Sequence, residues 1–269
     1  MMKKLFIALS LFAGSIIPAQ AQTTPEKYPL HFVDYWWKGC SDNKPLTNIS
    51  VPFKVNGDFD NISGIYIAPV GLAEVNGIKF YGGIQTNTGG WKSKEERKIV
   101  KVGKGGIFSR WAVDNNPLSL DYAGGDSNTL YESAMYEGSF VSVRKKFEWQ
   151  PGEHVYVYSL DVQPDNDGKS SWLVASVENL STNERYEIGK LKFEGKELRL
   201  GKDLASFVEI YSGDKKSFPD MQVSFATPFI NGVQCKDRRV QANYQNDNKY
   251  ARSTTSGGWV TATIKSKWN

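Results

Sequence analysis

The chain has 269 residues, with 33 Lys and Arg against 29 Asp and Glu, a formal net charge of +4 and 13% aromatic residues. So even a balance, with no basic run, gives no warrant for nucleic-acid binding or strong attraction to a membrane surface. No Pro/Ser-rich linker or low-complexity segment divides the chain, so one large domain is expected rather than two small ones.

The N-terminus reads as an export signal. Met1–Lys4 carries two lysines, Leu5–Ile17 is an apolar run, and Ala19-Gln20-Ala21 is a small-x-small cleavage site. The run is shorter than the roughly 20 residues a spanning helix needs. No Cys follows it, so a lipid anchor is not expected. Residues 1–21 are therefore a signal peptide, and residues 22–269 form the single mature domain, periplasmic or extracellular. Its charge is 33 − 2 − 29 = +2, because Lys3 and Lys4 leave with the signal.

Short runs rich in aromatic and β-branched residues then follow one another, with turn residues between them. The expected strands are Tyr28–Tyr35, Ile49–Val55, Gly64–Val70, Ile78–Gln85, Lys98–Val102 and Gly106–Val113. They continue as Phe140–Trp149, His154–Gln163, Ser171–Asn179, Arg185–Phe193, Ser206–Ser212, Met221–Thr227, Arg238–Tyr244 and Trp259–Lys265. Lys92–Lys98 mixes charges and reads as a solvated loop or short helical turn. Val141, Val143 and Phe147 alternate with Ser142, Arg144 and Lys146, which predicts a strand with one wet face. Met221-Val223-Phe225 and Val260-Ala262-Ile264 alternate in the same way. Val155–Tyr158 and Trp172–Ala175 are apolar on both faces and read as central strands. Pro151-Gly152 and Asp165-Asn166-Asp167-Gly168 are read as the turns of a three-strand meander. Such strands are best buried in an all-β fold, a two-sheet antiparallel β-sandwich of jelly-roll or lectin-like type.

Cys40 and Cys235 enter an oxidising compartment as an even pair, which favours a disulfide over two separate buried thiols. His31 and His154 sit in expected strands and read as packed or surface residues. No nucleophile elbow or zinc-binding helix accompanies them. Asp165–Gly168 resembles the start of a calcium loop, but Lys169 stands where a fifth-position oxygen ligand is needed. The loop Asp114–Asp126 is richer in oxygen ligands, and Asp121 and Asp126 are its metal candidates, with calcium the ion they would take. A surface loop has the same composition, and the sequence calls for no cofactor.

Two glycine-led strands carry the candidate site, Phe80-Tyr81-Gly82-Gly83-Ile84-Gln85 and Gly105-Gly106-Ile107-Phe108-Ser109-Arg110-Trp111. Each Gly pair permits close backbone approach or a kink, and each strand ends in large polar-tipped or aromatic side chains. Tyr35-Trp36-Trp37 cannot all point inward, because neighbours on a strand alternate faces. Trp91 follows Gly89-Gly90 in what reads as a polar loop. Aromatic faces stack on sugar rings while Gln, Asn, Asp and Arg take the hydroxyls. Tyr81, Gln85, Arg110, Trp111 and Asp114 are therefore the candidate ligand-binding residues, with Trp36, Trp37 and Trp91 at the rim. Glycoside hydrolysis would need a carboxylate pair about 5–10 Å apart. Glu132, Glu137 and Asp114 are the nearest candidates, and no strand sets carboxylates on one face.

Tyr81-Gly82-Gly83-Ile84-Gln85, Gly106-Ile107-Phe108-Ser109-x-Trp111, and Trp149-Gln150-Pro151-Gly152 leading into His154–Val162 resemble the bacterial secreted family known as domain of unknown function 3472. The resemblance covers Gly64–Pro228. Phe207-Val208-Glu209 and Phe225-x-x-Pro228 are similar to the later part of its pattern. It implies an exported protein associated with glycans or the cell envelope, and it carries over no established catalytic residues. The sequence thus favours a carbohydrate- or envelope-glycan-binding protein without catalysis. A polysaccharide-active hydrolase or lyase is the alternative, and a secreted structural or protein-interaction module is a third reading.

Overall fold

The structure, a computed structural model, describes residues 30–41, 43–59, 64–114, 116–135, 138–210, 219–243 and 250–265. The expected signal peptide and Glu137 lie outside these residues. The strands are β1 (Leu30–Lys38), β2 (Asn48–Gly57), β3 (Ile65–Val75), β4 (Ile78–Trp91) and β5 (Ile99–Trp111). A 3₁₀ turn, Leu120–Tyr122, leads to β6 (Ala123–Gly124), β7 (Leu130–Ala134) and β8 (Phe140–Lys146). After these come β9 (Tyr156–Pro164), β10 (Ser170–Asn179), β11 (Glu184–Glu194), β12 (Leu200–Ile210) and β13 (Met221–Ala226). The chain closes with β14 (Phe229–Ile230), β15 (Val233–Gln234), β16 (Asp237–Asn243), β17 (Ala251–Ser256) and β18 (Trp259–Ile264).

These strands form two antiparallel sheets packed as a β-sandwich. One has eight strands in the order β16-β1-β12-β3-β4-β5-β8-β7. The other has ten, along the path β17-β18-β13-β2-β9-β10-β11-β6, with β14 and β15 paired beside β2. Among the described residues no helix is long and apolar enough to cross a membrane.

The alternation of β13 and β18 is as the sequence predicts: Met221, Val223, Phe225, Val260, Ala262 and Ile264 are buried while the residues between them are not. β9 and β10 occupy the middle of the ten-stranded sheet, as their two apolar faces require.

Three expectations fail for identifiable reasons. Lys98–Val102 and Gly106–Val113 are one strand, β5, which bends at Gly103 (φ 78°) instead of ending there. β4 likewise runs on past Gln85 to Trp91, which closes onto Tyr131 of β7 rather than sitting in a loop. The three-strand meander is absent, because β8 belongs to the eight-stranded sheet and β9 to the ten-stranded one. The Gly152 amide donates to the Val55 carbonyl of β2 rather than back to β8 (2.8 Å). Fully buried Trp149 fills that corner, with Phe59 edge-on at 5.2 Å and its Nε1 donating to the Gln85 carbonyl (3.1 Å).

The expected wet face of β8 is also covered at one end. Ser142 is buried and accepts from Ser109 Oγ (2.9 Å). A polar side chain on a strand face signals water only when no neighbour can satisfy it.

The glycine pairs bring the two sheets together. A Cβ at Gly82 would fall 2.0 Å from Tyr158 Oη, and one at Gly106 would fall 2.4 Å from Ile188 Cδ1. Tyr158, fully buried on β9, passes through that gap and donates to the Ile107 carbonyl (2.9 Å). The first glycine of one pair and the second of the other thus serve packing between the sheets, not approach of a ligand. Cys40, just beyond β1, and Cys235, between β15 and β16, form a disulfide, with both residues buried.

Candidate functional site

A second cluster of side chains lies outside the sandwich core, on the face of the eight-stranded sheet turned away from its partner. Alternation builds it: Phe80 and Ile84 point into the core, so Tyr81 points out, and Phe108 points in, so Ile107 and Trp111 point out. β3 adds Tyr66, β12 adds Phe207 and β1 adds His31. Their rings form a continuous row. Trp111 and Tyr81 are 4.8 Å apart, Tyr81 and Tyr66 5.6 Å, Tyr66 and Phe207 5.4 Å, and Phe207 and His31 4.8 Å between centroids. The row crosses five strands, about 19 Å at the usual strand spacing of ~4.8 Å. Tyr66 and Tyr81 are buried within it, while Trp111 and Phe207 are half-buried. Gly71 seats the Phe207 ring, since a Cβ there would lie 2.3 Å from Phe207 Cδ1.

Polar groups flank the row. His31 Nδ1 is 2.9 Å from Asp34 Oδ1 and His31 Nε2 is 2.9 Å from Glu209 Oε2, so one imidazole is held between two carboxylates. Burial works against its charged form, but the hydrogen bonds and charges of Asp34 and Glu209 outweigh it and raise its pKa from 6.5 to about 10. Both ring nitrogens are committed, so His31 acts as a fixed cation rather than a general base.

A raised folded-state pKa gives stability that is complete below 6.5 and is lost as pH rises from there through about 10. The His31 ring resonance is therefore expected to show no midpoint below pH 9. His31→Gln should remove the decline in stability between pH 7 and 10. A midpoint near 6.5 would refute the clamp.

Gln85 also faces outward, in register with Tyr66 and, beyond it, Glu209. Its side-chain amide is half-buried and makes no hydrogen bond among the described residues. Trp36 is half-buried on the same face of β1 as Asp34, and its Nε1 is buried without an acceptor among the described residues.

Of the residues the sequence proposes, this face gathers Tyr81, Gln85, Trp111, Trp36 and Glu132, the last in register with Ser142, Ser109 and Tyr81, and the other described ones are placed elsewhere. Arg110 alternates with Trp111 and so points between the sheets, 1% exposed, where it contacts Glu194 at 3.2 Å and the Lys192 carbonyl. Trp37 alternates with Trp36 and is buried, its Nε1 donating to Ser206 Oγ (2.9 Å). Both leave the proposed ligand face for the same reason, the two-residue period of a strand. Trp91 lies under the Arg97 guanidinium, 5.0 Å from the ring centre.

The carboxylates do not assemble a catalytic pair. Asp114 is exposed beyond β5 and accepts from the Asn116 amide (3.2 Å). Glu132 shares a face of the sheet with Ser142 and is ion-paired to Arg144. The metal candidates also stay apart in their bonding. Asp121 accepts from Ser119 Oγ (2.8 Å), and Asp126 pairs with Lys145 (2.6 Å). No metal-ligand cluster occurs among the described residues.

Sequence reasoning missed Tyr66, Phe207, His31, Asp34 and Glu209. A signal was present, since Asp34 and Glu209 are lone charges in otherwise apolar strands, Phe32-Val33-Asp34-Tyr35 and Phe207-Val208-Glu209-Ile210. A lone charge at such a position either faces outward or has a buried partner, and here the partner is His31.

No family model and no curated protein matches the chain. Among solved structures it is similar to scytalido-glutamic peptidase, crystallised with a transition-state analogue inhibitor. The TM-score is 0.42 at 11% identity, over 88% of this chain and 98% of that one. A likeness so distant carries no inference about this chain's chemistry.

Proposed function

We infer that this is an exported protein that binds carbohydrate or an envelope glycan without catalysis, through the outer face of its eight-stranded sheet. The observation that carries the reading is the ring row from Trp111 to His31, separate from the core and edged by the Gln85 amide, which makes no hydrogen bond among the described residues. An extended glycan has alternating apolar ring faces and hydroxyl edges. A row of rings across the strands meets the former, and amide and carboxylate groups meet the latter. Tyr81, Gln85, Trp111, Phe207 and Glu209 all fall in segments that resemble the secreted family named above, and membership of that family is part of the same proposal.

Labelled mature protein, residues 22–269, on a glycan array is expected to bind selectively. Trp111→Ala should weaken that binding about 10- to 30-fold, the loss typical of a central aromatic anchor, with Trp111→Phe intermediate. If folded Trp111→Ala and Gln85→Ala proteins bind every glycan as the unaltered protein does, the site is elsewhere. Release of products from a polysaccharide would replace binding by catalysis.

A further inference from the structure

A groove on the other side of β5 has no part in that face. The 3₁₀ turn Leu120–Tyr122 stands as a ridge between two clefts. One, about 500 Å³, lies against Tyr122, Lys192 and Glu194. The other, about 310 Å³, lies against Arg97 and Ser133. Asp121 lines both, so the two meet across the turn. Each is within the size range of small-ligand sites.

The first cleft is propped from beneath by Arg110. Its guanidinium is stacked 4.9 Å from the Tyr122 ring centre and 4.8 Å from that of Phe193, and it holds Glu194. Its Nε is buried with no acceptor among the described residues. A buried guanidinium with an unsatisfied donor is destabilising by itself, so its presence is explained by what it fixes: the ring of Tyr122 and the carboxylate of Glu194. Lys192 is fixed in turn by Asp165 (2.6 Å). The polar lining is therefore oriented before any ligand arrives.

The charges of the lining compensate one another. Across both clefts it carries four cations and, counting the shared Asp121 once, four carboxylates. Such a lining has no preference for a polyanion or a polycation. It offers donors and acceptors side by side, which is what vicinal hydroxyls require.

We propose that this groove is a second binding site, for a neutral oligosaccharide chain lying across the Leu120–Tyr122 turn, with Tyr122 beneath one ring and Glu194, Lys192 and Asp121 on its hydroxyls. The site stands independently of the outer face. Arg110 and Trp111, adjacent in sequence, serve the two sites from opposite sides of one strand.

The test uses amide NMR spectra of the mature protein titrated with cellohexaose, mannohexaose, xylohexaose and chitohexaose, and with polygalacturonate as a polyanion. At least one neutral oligosaccharide is expected to shift the amides of Asp121, Tyr122 and Lys192. Glu194→Gln combined with Tyr122→Ala should weaken that effect about tenfold or more while leaving the fold intact, and Trp111→Ala should leave it unchanged. Shifts confined to Tyr81, Gln85 and Trp111 would overturn the groove and leave the outer face standing. Shifts at the groove that Trp111→Ala does not disturb, with none on the outer face, would do the reverse. A response to polygalacturonate alone, or none at millimolar concentration of any probe, overturns the proposal.

Discussion

Gly82→Ala is expected to destabilise the sandwich by about 3 kcal/mol or more. The new methyl would lie 2.0 Å from Tyr158 Oη and 2.6 Å from its Cζ, distances that no rotamer change of a fully buried ring relieves. Overpacking of a filled core commonly costs about 1–3 kcal/mol. Displacing the phenol also breaks its hydrogen bond to the Ile107 carbonyl, and a buried acceptor left unsatisfied adds about 1–3 kcal/mol. Tyr158→Phe alone should cost only the second of these. Because both changes act on one contact, the double variant should be less destabilised than the sum of the single ones in denaturant melts. Strict additivity would show that the strain of Gly82→Ala falls elsewhere. Gly106→Ala meets the flexible end of Ile188 instead and should be milder.

The second large effect belongs to the disulfide. Cys40 and Cys235 are 195 residues apart, and for a loop of that length chain entropy predicts about 5 kcal/mol of stabilisation. The paired variant Cys40→Ala, Cys235→Ala should therefore melt some 10–20 °C lower, given about 2–4 °C per kcal/mol for a domain of this size. Reduction of the unaltered protein should lower its melting temperature by a similar amount. The loss should register first as faster amide exchange in β1 and β16, which the bridge holds near the crossing between the sheets. A variant melting within 2 °C of the parent would mean that the packing of β1 against β12 suffices without the bridge.

Much of the fold was legible because burial leaves a two-residue signature. Met221-Val223-Phe225 and Val260-Ala262-Ile264 announced their inner faces, and the two-sided apolar runs at Tyr156 and Leu173 announced central strands. The crossing between β8 and β9 was not legible. Pro151-Gly152 has the composition of a hairpin, and its role depends on Trp149 filling the corner and on Val55, nearly a hundred residues earlier, receiving the Gly152 amide. The same holds for the site. Tyr81, Gln85 and Trp111 could be read from local sequence, yet the row they join is completed by Tyr66, Phe207 and His31, which only sheet order brings alongside. Arg110 shows the limit of proximity in sequence, since a residue next to Trp111 must face the other way.

The place of β1 in the eight-stranded sheet has a consequence for how the chain reaches its folded form. The neighbours of β1 are β12 and β16, so its nearest partner begins at Leu200. Any nascent chain that ends before Leu200 leaves both edges of β1 without the partners β12 and β16. The β9–β10–β11 meander, by contrast, joins strands that follow one another in the chain. Assembly therefore has an early local half and a late one gated by the C-terminal third. The first of the described strands to emerge is thus among the last to be paired.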